Sequence, residues 1–234
     1  MTRPWTVNLP SELVQLDDGL WCVTDVVPGI KGVDRRMAIV RREDGTLLFY
    51  NAIPLPDTQL AQVRALGEPA HLVLPNAFHT LDAHAFCARL GVTAFAPAPA
   101  LQKVRESISD AQDIASLPKD NALEVVTIDG FKTHEACLLV KRSKATSWVV
   151  ADVVCNAPHG SGLNGVVMRM VGFTADQPIL PRPVRWRVGR DLQRVKEQLL
   201  KVADAPNLAR LVPSHGAVVE SDVPQTLRKI AQAL

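Results

Sequence analysis

Residues 132–154, KTHEACLLVKRSKATSWVVADVV, contain two apolar runs that are separated by a basic turn and followed by an aspartate. Each run has the length and the composition of a buried strand. Asp152 is the only interruption of the apolar residues between Val149 and Val154. Residues that follow buried strands lie in loops, where binding and catalytic side chains are concentrated. The stretch therefore predicts two strands and a functional carboxylate behind the second one.

Histidines occupy the same kind of position in three other parts of the chain. The run HLVLPNAFH ends at His79, LEVVTIDGFKTHE carries His134 near its end, and ARLVPSH ends at His215. Side chains at the ends of buried strands can meet at one edge of a sheet, within reach of solvent. A lone histidine is more often only a partly buried polar group. The ordered set of three histidines and Asp152 is what predicts a metal or substrate site.

The order of strand-like and helix-like segments predicts an α/β (α+β) fold. The turn signal EDG at residues 43–45 separates two β-rich runs and indicates a hairpin. The segment TQLAQVRALG has apolar residues at helical spacing and stops at Gly67. Two halves emerge, each with strands followed by helices. This pattern favours two sheets with helices outside over a single doubly wound sheet.

Residues 1–234 are interpreted as a single domain, because the chain has the length of one large domain and no internal repeat. Residues 156–189 are rich in glycine and proline, and we expect an irregular insertion or lid there with one short helix around GVVMRMVG.

Composition limits the partners and the compartment. Lys+Arg 26 against Asp+Glu 24 gives a formal charge of +2, which is too balanced for a dedicated nucleic-acid or membrane-surface binder. We therefore expect a small-molecule substrate or an anionic ligand. No secretory signal and no membrane-spanning run are recognised, so a cytoplasmic location is expected. The four cysteines form no CxxC motif and are interpreted as buried thiols of a reducing compartment: Cys22, Cys87, Cys137 and Cys155.

Several segments together resemble the metallo-β-lactamase fold superfamily, as a divergent member. Residues 132–154 resemble the part that carries the third histidine and the bridging aspartate of that family, here His134 and Asp152. Residues 208–218, LARLVPSHGAV, resemble its last motif, a short strand that runs into a His-Gly pair. GTLLFYNAI resembles an early strand that usually ends in aspartate, here Asn51. The resemblance extends from about Trp21 to His215.

The resemblance implies an αββα sandwich of two mixed sheets with helices on the outer faces. It also implies a site for zinc, iron or manganese, with His134, Asp152 and His215 as ligands. Three protein ligands with one open position are enough for a hydrolytic metal site. The expected activity is metal-dependent hydrolysis of an ester, a thioester, a lactone or a phosphoester.

The signature loop of that family, HxHxDH, is degenerate in this chain. Its four ligand positions fall on residues of other types: Asn76, Phe78, Thr80 and Leu81. The same loop, NAFHTLDAHAF, contains His79, Asp82 and His84, which can supply ligands if the loop is shifted. Asp82 is then the candidate for the catalytic carboxylate of the family.

A non-catalytic alternative follows from the same degeneracy. In it the chain keeps the fold without the metal, and holds an anionic ligand or a partner in the old cleft or at the segment PRPVRWRVGR, residues 181–190. Four arginines surround Trp186 in this segment, and its prolines are expected to keep it extended: Arg182, Arg185, Arg187 and Arg190. A solvated loop with local ion pairs is the simpler interpretation of the same residues.

Overall fold

The computed structural model describes residues 3–30, 32–160 and 162–234, and only the backbone of residues 163, 164, 187 and 188. Seven strands form the first sheet in chain order: β1 (Val14–Asp17), β2 (Leu20–Val26), β3 (Asp34–Arg41), β4 (Thr46–Tyr50), β5 (Glu68–Val73), β6 (Thr93–Ala96) and β7 (Gln112–Asp113). Neighbours are antiparallel from β1 to β4 and parallel from β4 to β7.

The second sheet has four strands in the order β11-β10-β9-β8: β8 (Leu123–Ile128), β9 (Glu135–Lys141), β10 (Thr146–Val150) and β11 (Leu208–Pro213). Strand β9 pairs antiparallel with both β8 and β10, and β10 pairs in parallel with β11. Both sheets are therefore mixed, as the sequence predicts.

The described helices lie between and after the strands: α1 (Asp57–Leu66), α2 (Ala83–Leu90), α3 (Ala98–Val104), α4 (Gly162–Met170), α5 (Arg182–Val188), α6 (Leu192–Ala203) and α7 (Val223–Gln232). Helix α1 ends directly before Gly67, as predicted. None of the helices in the described ranges is long and apolar enough to span a bilayer.

Three layers of apolar side chains hold the sheets and helices together. In β4, Leu47 and Phe49 pack with α1, α2 and α3, whereas Leu48 and Tyr50 pack against the other sheet. In β10, Trp148 packs with α6 and α7, and Val149 faces the inter-sheet layer. Successive side chains of a strand point to opposite faces, so a strand that is covered on both sides is apolar throughout. This αββα sandwich confirms the predicted fold class.

Residues 156–189 are more regular than expected. They hold two helices instead of one, and the second, α5, covers the proline-containing segment that was predicted to be extended. That expectation was wrong because proline is compatible with the first turn of a helix, where its missing N–H would have no partner. A lid function for this segment stays a prediction.

The topology brings several strand ends to one end of the sandwich. Tyr50 pairs with Val73 across the parallel strands β4 and β5, and Val150 pairs with Pro213 across β10 and β11. Parallel neighbours end at the same edge of a sheet. The loops that follow these four strands therefore leave the sheets together.

Candidate metal centre

Three of the predicted ligands lie together at this end. His79 Nε2 is 3.3 Å and His215 Nε2 is 3.7 Å from Asp152 Oδ1. The ligand atoms of the three residues all lie within 4.8 Å of one another. The two imidazole rings are 5.6 Å apart, centre to centre. The side chains are between 11% and 18% exposed, so the group is sheltered but reachable.

A buried glutamate fixes the position of Asp152. The turn behind β10 presents its backbone N–H groups to the Glu135 carboxylate, which accepts from Ala151, Asp152 and Val153 at 2.9–3.3 Å. Burial, and next the charge of Asp152, raises the pKa of Glu135 to about 7, although the backbone N–H groups act in the opposite direction. Glu135 thus holds the turn that carries Asp152.

The strand β11 delivers His215 in a fixed orientation. Its Nδ1 is 2.6 Å from the carbonyl oxygen of Asp34, so Nδ1–H donates, because a carbonyl can only accept. The Nε2 atom is left with a lone pair that faces Asp152. Gly216 follows with a φ of 90°, and a Cβ there would lie 2.0 Å from the carbonyl oxygen of Asn156. Only glycine fits behind His215.

Asn76 supports the centre from the loop that follows β5. Its Nδ2 donates to Asp152 Oδ2 at 2.9 Å, and its Oδ1 accepts from the backbone N–H of Phe78 at 2.9 Å. The residue at the first ligand position of the degenerate motif therefore orients the aspartate, and His79 reaches the site from the same loop.

The charges of the three residues are strongly coupled. Burial would raise the pKa of Asp152, but His79, His215 and Asn76 outweigh it and lower that pKa. Burial would lower the pKa of His79, but the Asp152 carboxylate raises it overall. At His215 burial prevails and lowers the pKa. The centre thus combines a carboxylate, one imidazole that favours its proton and one that favours its lone pair.

Two of the three ligand separations are close to those around one tetrahedral metal ion. Ligand atoms at about 2.0–2.2 Å from such an ion lie roughly 3.3–3.6 Å from each other. The two distances to Asp152 Oδ1 are close to this range. The hydrogen bond from His215 Nδ1 to a backbone carbonyl is the arrangement that usually orients a metal-binding imidazole.

The centre opens into a cavity of about 480 Å³, which is the size of a small-molecule site. Most of its lining is apolar: Val27, Ile30, Val33, Ala52, Ile53, Phe78, Leu81, Met168, Phe173, Pro183 and Val184. Arg35, Arg36 and Asn51 add polar groups near the three ligands. The site therefore combines a charged floor with apolar walls.

Solved structures of the same architecture extend over nearly the whole chain. The metallo-β-lactamase FIM-1 from Pseudomonas aeruginosa in its mono-zinc form is 14% identical, with a TM-score of 0.62 and coverage of 98% of each chain. Metallo-β-lactamases from Hirschia baltica (16% identical, TM-score 0.59, 94% of this chain and 97% of that one) and Pontibacter korlensis (14%, 0.64, 95% and 99%) are similar. The chain has the metallo-β-lactamase fold. No protein-family model and no curated protein matches it.

Within the metallo-β-lactamase fold, Asp82 is placed away from the cavity. Its carboxylate accepts from Arg35 Nη1 and lies 3.4 Å from Arg3 Nη1, and it is buried. Arg35 also donates to Asp25 Oδ2 at 3.2 Å. Asp82 is absent from the residues that line the cavity. The structure therefore places this carboxylate beside Arg35 and outside the cavity lining, and its catalytic role stays a prediction.

The two other predicted histidine ligands are also outside the cluster. His84 lies exposed on α2 and borders another cavity, together with Cys87 and Gly91. His134 lies in the turn before β9 with a φ of 53°, and its charge acts on Asp129. The described ligand-type side chains that come together are His79, Asp152 and His215.

Glu135 is the residue of the centre that sequence reasoning missed. It lies next to the predicted ligand His134 and begins an otherwise apolar strand. A carboxylate at the start of a buried strand is a signal, because an ionised group in an apolar environment needs several hydrogen-bond donors. The donors come from residues 151–153, and the sequence gives no sign of that contact.

Proposed function

We propose that the protein binds one divalent transition-metal ion through His79, Asp152 and His215 and hydrolyses a small ester, thioester, lactone or phosphoester. The observation that carries the proposal is the lone pair of His215 Nε2, which faces the Asp152 carboxylate because Nδ1–H is committed to Asp34. A lone pair and a carboxylate repel each other unless a cation lies between them. A metal ion satisfies both groups and His79 as well.

Zinc is the proposed metal, with iron and manganese as the next choices. Two imidazoles and a carboxylate suit zinc, which binds such groups tetrahedrally and leaves one position open. The similarity to a structure of FIM-1 in a mono-zinc form supports a single ion in this fold. The ion would supply Lewis acidity, by polarising a substrate oxygen and by lowering the pKa of a water molecule.

The chain's own residues bind and orient the substrate in this proposal. The apolar walls bind the non-reacting part and exclude water. Arg35 lines the cavity and is the proposed partner of a substrate oxygen, while Asp25 and Asp82 hold its guanidinium in place. Asp82 thus becomes a positioning residue.

Metal analysis tests the binding step. Protein purified without a chelator and without immobilised-metal chromatography, and then reconstituted, is expected to hold about one zinc per chain. Asp152→Ala and His215→Ala should lose the metal, whereas His84→Ala and His134→Ala are matched controls that should keep it. A wild-type metal content near zero after reconstitution with zinc, iron or manganese would exclude the centre.

Hydrolysis is tested on the reconstituted protein with nitrophenyl esters, thioesters, lactones and bis-nitrophenyl phosphate. At least one class should be cleaved, and a chelator should abolish the activity and added metal restore it. Asp82→Asn should mainly raise KM, because it releases Arg35 without touching the metal ligands. Metal binding without any turnover on all four classes would reject the hydrolase.

A second candidate function is a metal-free binding protein. This candidate is favoured by the burial of Asp82 against Arg35. Among the described residues that line the cavity, Asp152 is the one that carries a carboxylate, so a second carboxylate for catalysis is missing there. In this case an apolar small molecule should raise the melting temperature of metal-free protein, and Phe78→Asp should cancel the effect. An increase that requires metal would count against this candidate.

A further inference from the structure

A second cavity of about 590 Å³ lies on the other side of the segment that contains α4 and α5. It lies between this segment and α7 and is open to solvent on one side. Four cationic side chains line it: Arg169, Arg182, Arg185 and Lys229. No aspartate or glutamate side chain lines it among the described residues. The cavity is therefore a concentration of positive charge.

The two cavities share one wall, and adjacent residues face opposite sides. Met168, Phe173 and Pro183 line the cavity of the metal centre, whereas their neighbours Arg169, Thr174 and Arg182 line the basic cavity. The wall is apolar toward the first cavity and cationic toward the second. The basic cavity is thus a separate site and not an extension of the metal centre.

Three of the four cations are uncommitted. Arg185 donates to the backbone oxygens of Ala233 and Leu234 at 3.4 Å and 3.2 Å. Arg169, Arg182 and Lys229 form no ion pair or hydrogen bond in the part of the chain that the structure describes. All three side chains are exposed, so they are solvated and free to contact an anionic ligand that enters the cavity.

Arginines on the two neighbouring helices behave differently. Arg194 on α6 is paired with Asp129, and Arg228 on α7 is paired with Asp204. Acids thus pair with arginines on these helices, whereas the four cations of the basic cavity have no acidic partner among the described residues. Asp176, between the lining residues Ala175 and Gln177, is exposed and lies 3.7 Å from Nε2 of the lining residue His159.

We infer that the basic cavity binds a small organic phosphate with two to three negative charges. Arg169 and Arg182 offer planar guanidinium groups and Lys229 offers a point charge, which are the common partners of phosphate oxygens. The hydroxyls of Thr174 and Thr226 lie in the same lining. Ile179, Leu180 and Ile230 provide an apolar surface for the organic part of the ligand. The inference does not depend on the metal centre.

Isothermal titration calorimetry with inorganic phosphate, pyrophosphate, ADP and adenosine tests the inference. ADP should bind most tightly, because it matches both the charge and the apolar surface, and adenosine should not bind. Binding should weaken steeply with salt. Each cation that is removed, in Arg182→Ala and Lys229→Ala, should weaken ADP binding about tenfold.

Matched controls separate this site from general charge and from the metal centre. Arg194→Ala and Arg228→Ala remove paired surface arginines and should leave ADP binding unchanged, as should Asp152→Ala. Melting temperatures of all variants show that each one is folded. Equal affinity of wild type and the double variant Arg182→Ala/Lys229→Ala for ADP, or no binding by wild type at about 1 mM ligand, would overturn the inference. Stronger binding to phosphatidic acid vesicles than to any soluble phosphate would overturn it as well.

Discussion

Two polar clusters lie at opposite ends of the sheets and use similar residues in opposite ways. At the end formed by the last residues of β3 and the first of β4, Arg42 directs Nη1 to His71 Nε2 at 2.8 Å and Nε to Asp120 Oδ2 at 3.2 Å. Its Nη2 donates to the backbone carbonyls of Pro118 and Lys119. Every nitrogen of this guanidinium has a partner, and the side chain is 2% exposed.

At the other end, the candidate metal centre brings three ligand-type side chains together. The imidazoles of His79 and His215 and the carboxylate of Asp152 have their ligand atoms within 4.8 Å of one another, beside an open cavity. A buried guanidinium with a partner for every nitrogen contributes stability, whereas ligand-type groups that converge beside an open cavity are arranged to bind an ion or a substrate. Residue types alone do not distinguish the two.

The largest loss of stability is expected when Arg42 is replaced. The variant Arg42→Met leaves Asp120 buried without its cation, and the free energy of unfolding should fall by about 3–5 kcal/mol. Urea denaturation measures the change. Arg194→Met removes an exposed ion pair and should leave the free energy of unfolding nearly unchanged. Equal losses in the two variants would contradict the stabilising role of the Arg42 cluster.

One glycine at each end of the sheets allows the effect of an alanine substitution to be compared between the two ends. Gly216 and Gly45 have φ values of 90° and 83°, so alanine is strained at each, but only at Gly216 is the Cβ position occupied. Gly216→Ala should cost about 3 kcal/mol in unfolding free energy and weaken metal binding by displacing His215. Gly45→Ala should cost about 1 kcal/mol and leave metal binding unchanged. A similar loss of unfolding free energy in the two variants would show that the backbone next to Gly216 moves aside to accept the added methyl group.

Added metal should stabilise the protein through the end that holds His79, Asp152 and His215, and not through the end that holds Arg42. At a free zinc concentration of about 100 times Kd, the wild type should gain roughly 2.7 kcal/mol, seen as a higher melting temperature. Asp152→Asn should abolish the gain, whereas His71→Gln at the other end should keep it. A gain that survives in Asp152→Asn would place the metal elsewhere.

The smallest expected effect is a pH dependence at His71. Burial, and next the charge of Arg42, lowers the pKa of His71 below its ordinary value of about 6.5. The unfolded chain therefore binds a proton that the folded one rejects, so this contribution is complete above pH 6.5 and is lost as the pH falls toward the folded pKa. His71→Gln should flatten the stability curve below pH 6.5. The exposed control His84→Gln should retain the wild-type curve, and an unchanged slope in His71→Gln would refute the assignment.

Single-residue shifts explain which of the predicted site residues the fold brings together and which it leaves apart. His134 and Glu135 are neighbours, yet Glu135 enters the buried strand and supports Asp152, whereas His134 stays in the turn. In the signature loop, Phe78 holds a ligand position of the family motif, but His79 reaches the centre. Side chains of adjacent residues point in different directions, so a motif read one position out of register selects the wrong group.

The residue pattern by itself predicted two sheets with helices outside, because apolar runs of strand length and amphipathic helices can bury their surfaces in few ways, and the family resemblance implied the αββα order. It also determined that Asp152 and His215 follow buried strands. Only the tertiary structure decided that His79 joins them, that Asp82 pairs with Arg35 and that four cations from α4, α5 and α7 share one cavity. The physical reason is that an ion pair or a ligand set depends on distances of a few ångströms between residues far apart in the chain, and local residue patterns do not encode such distances.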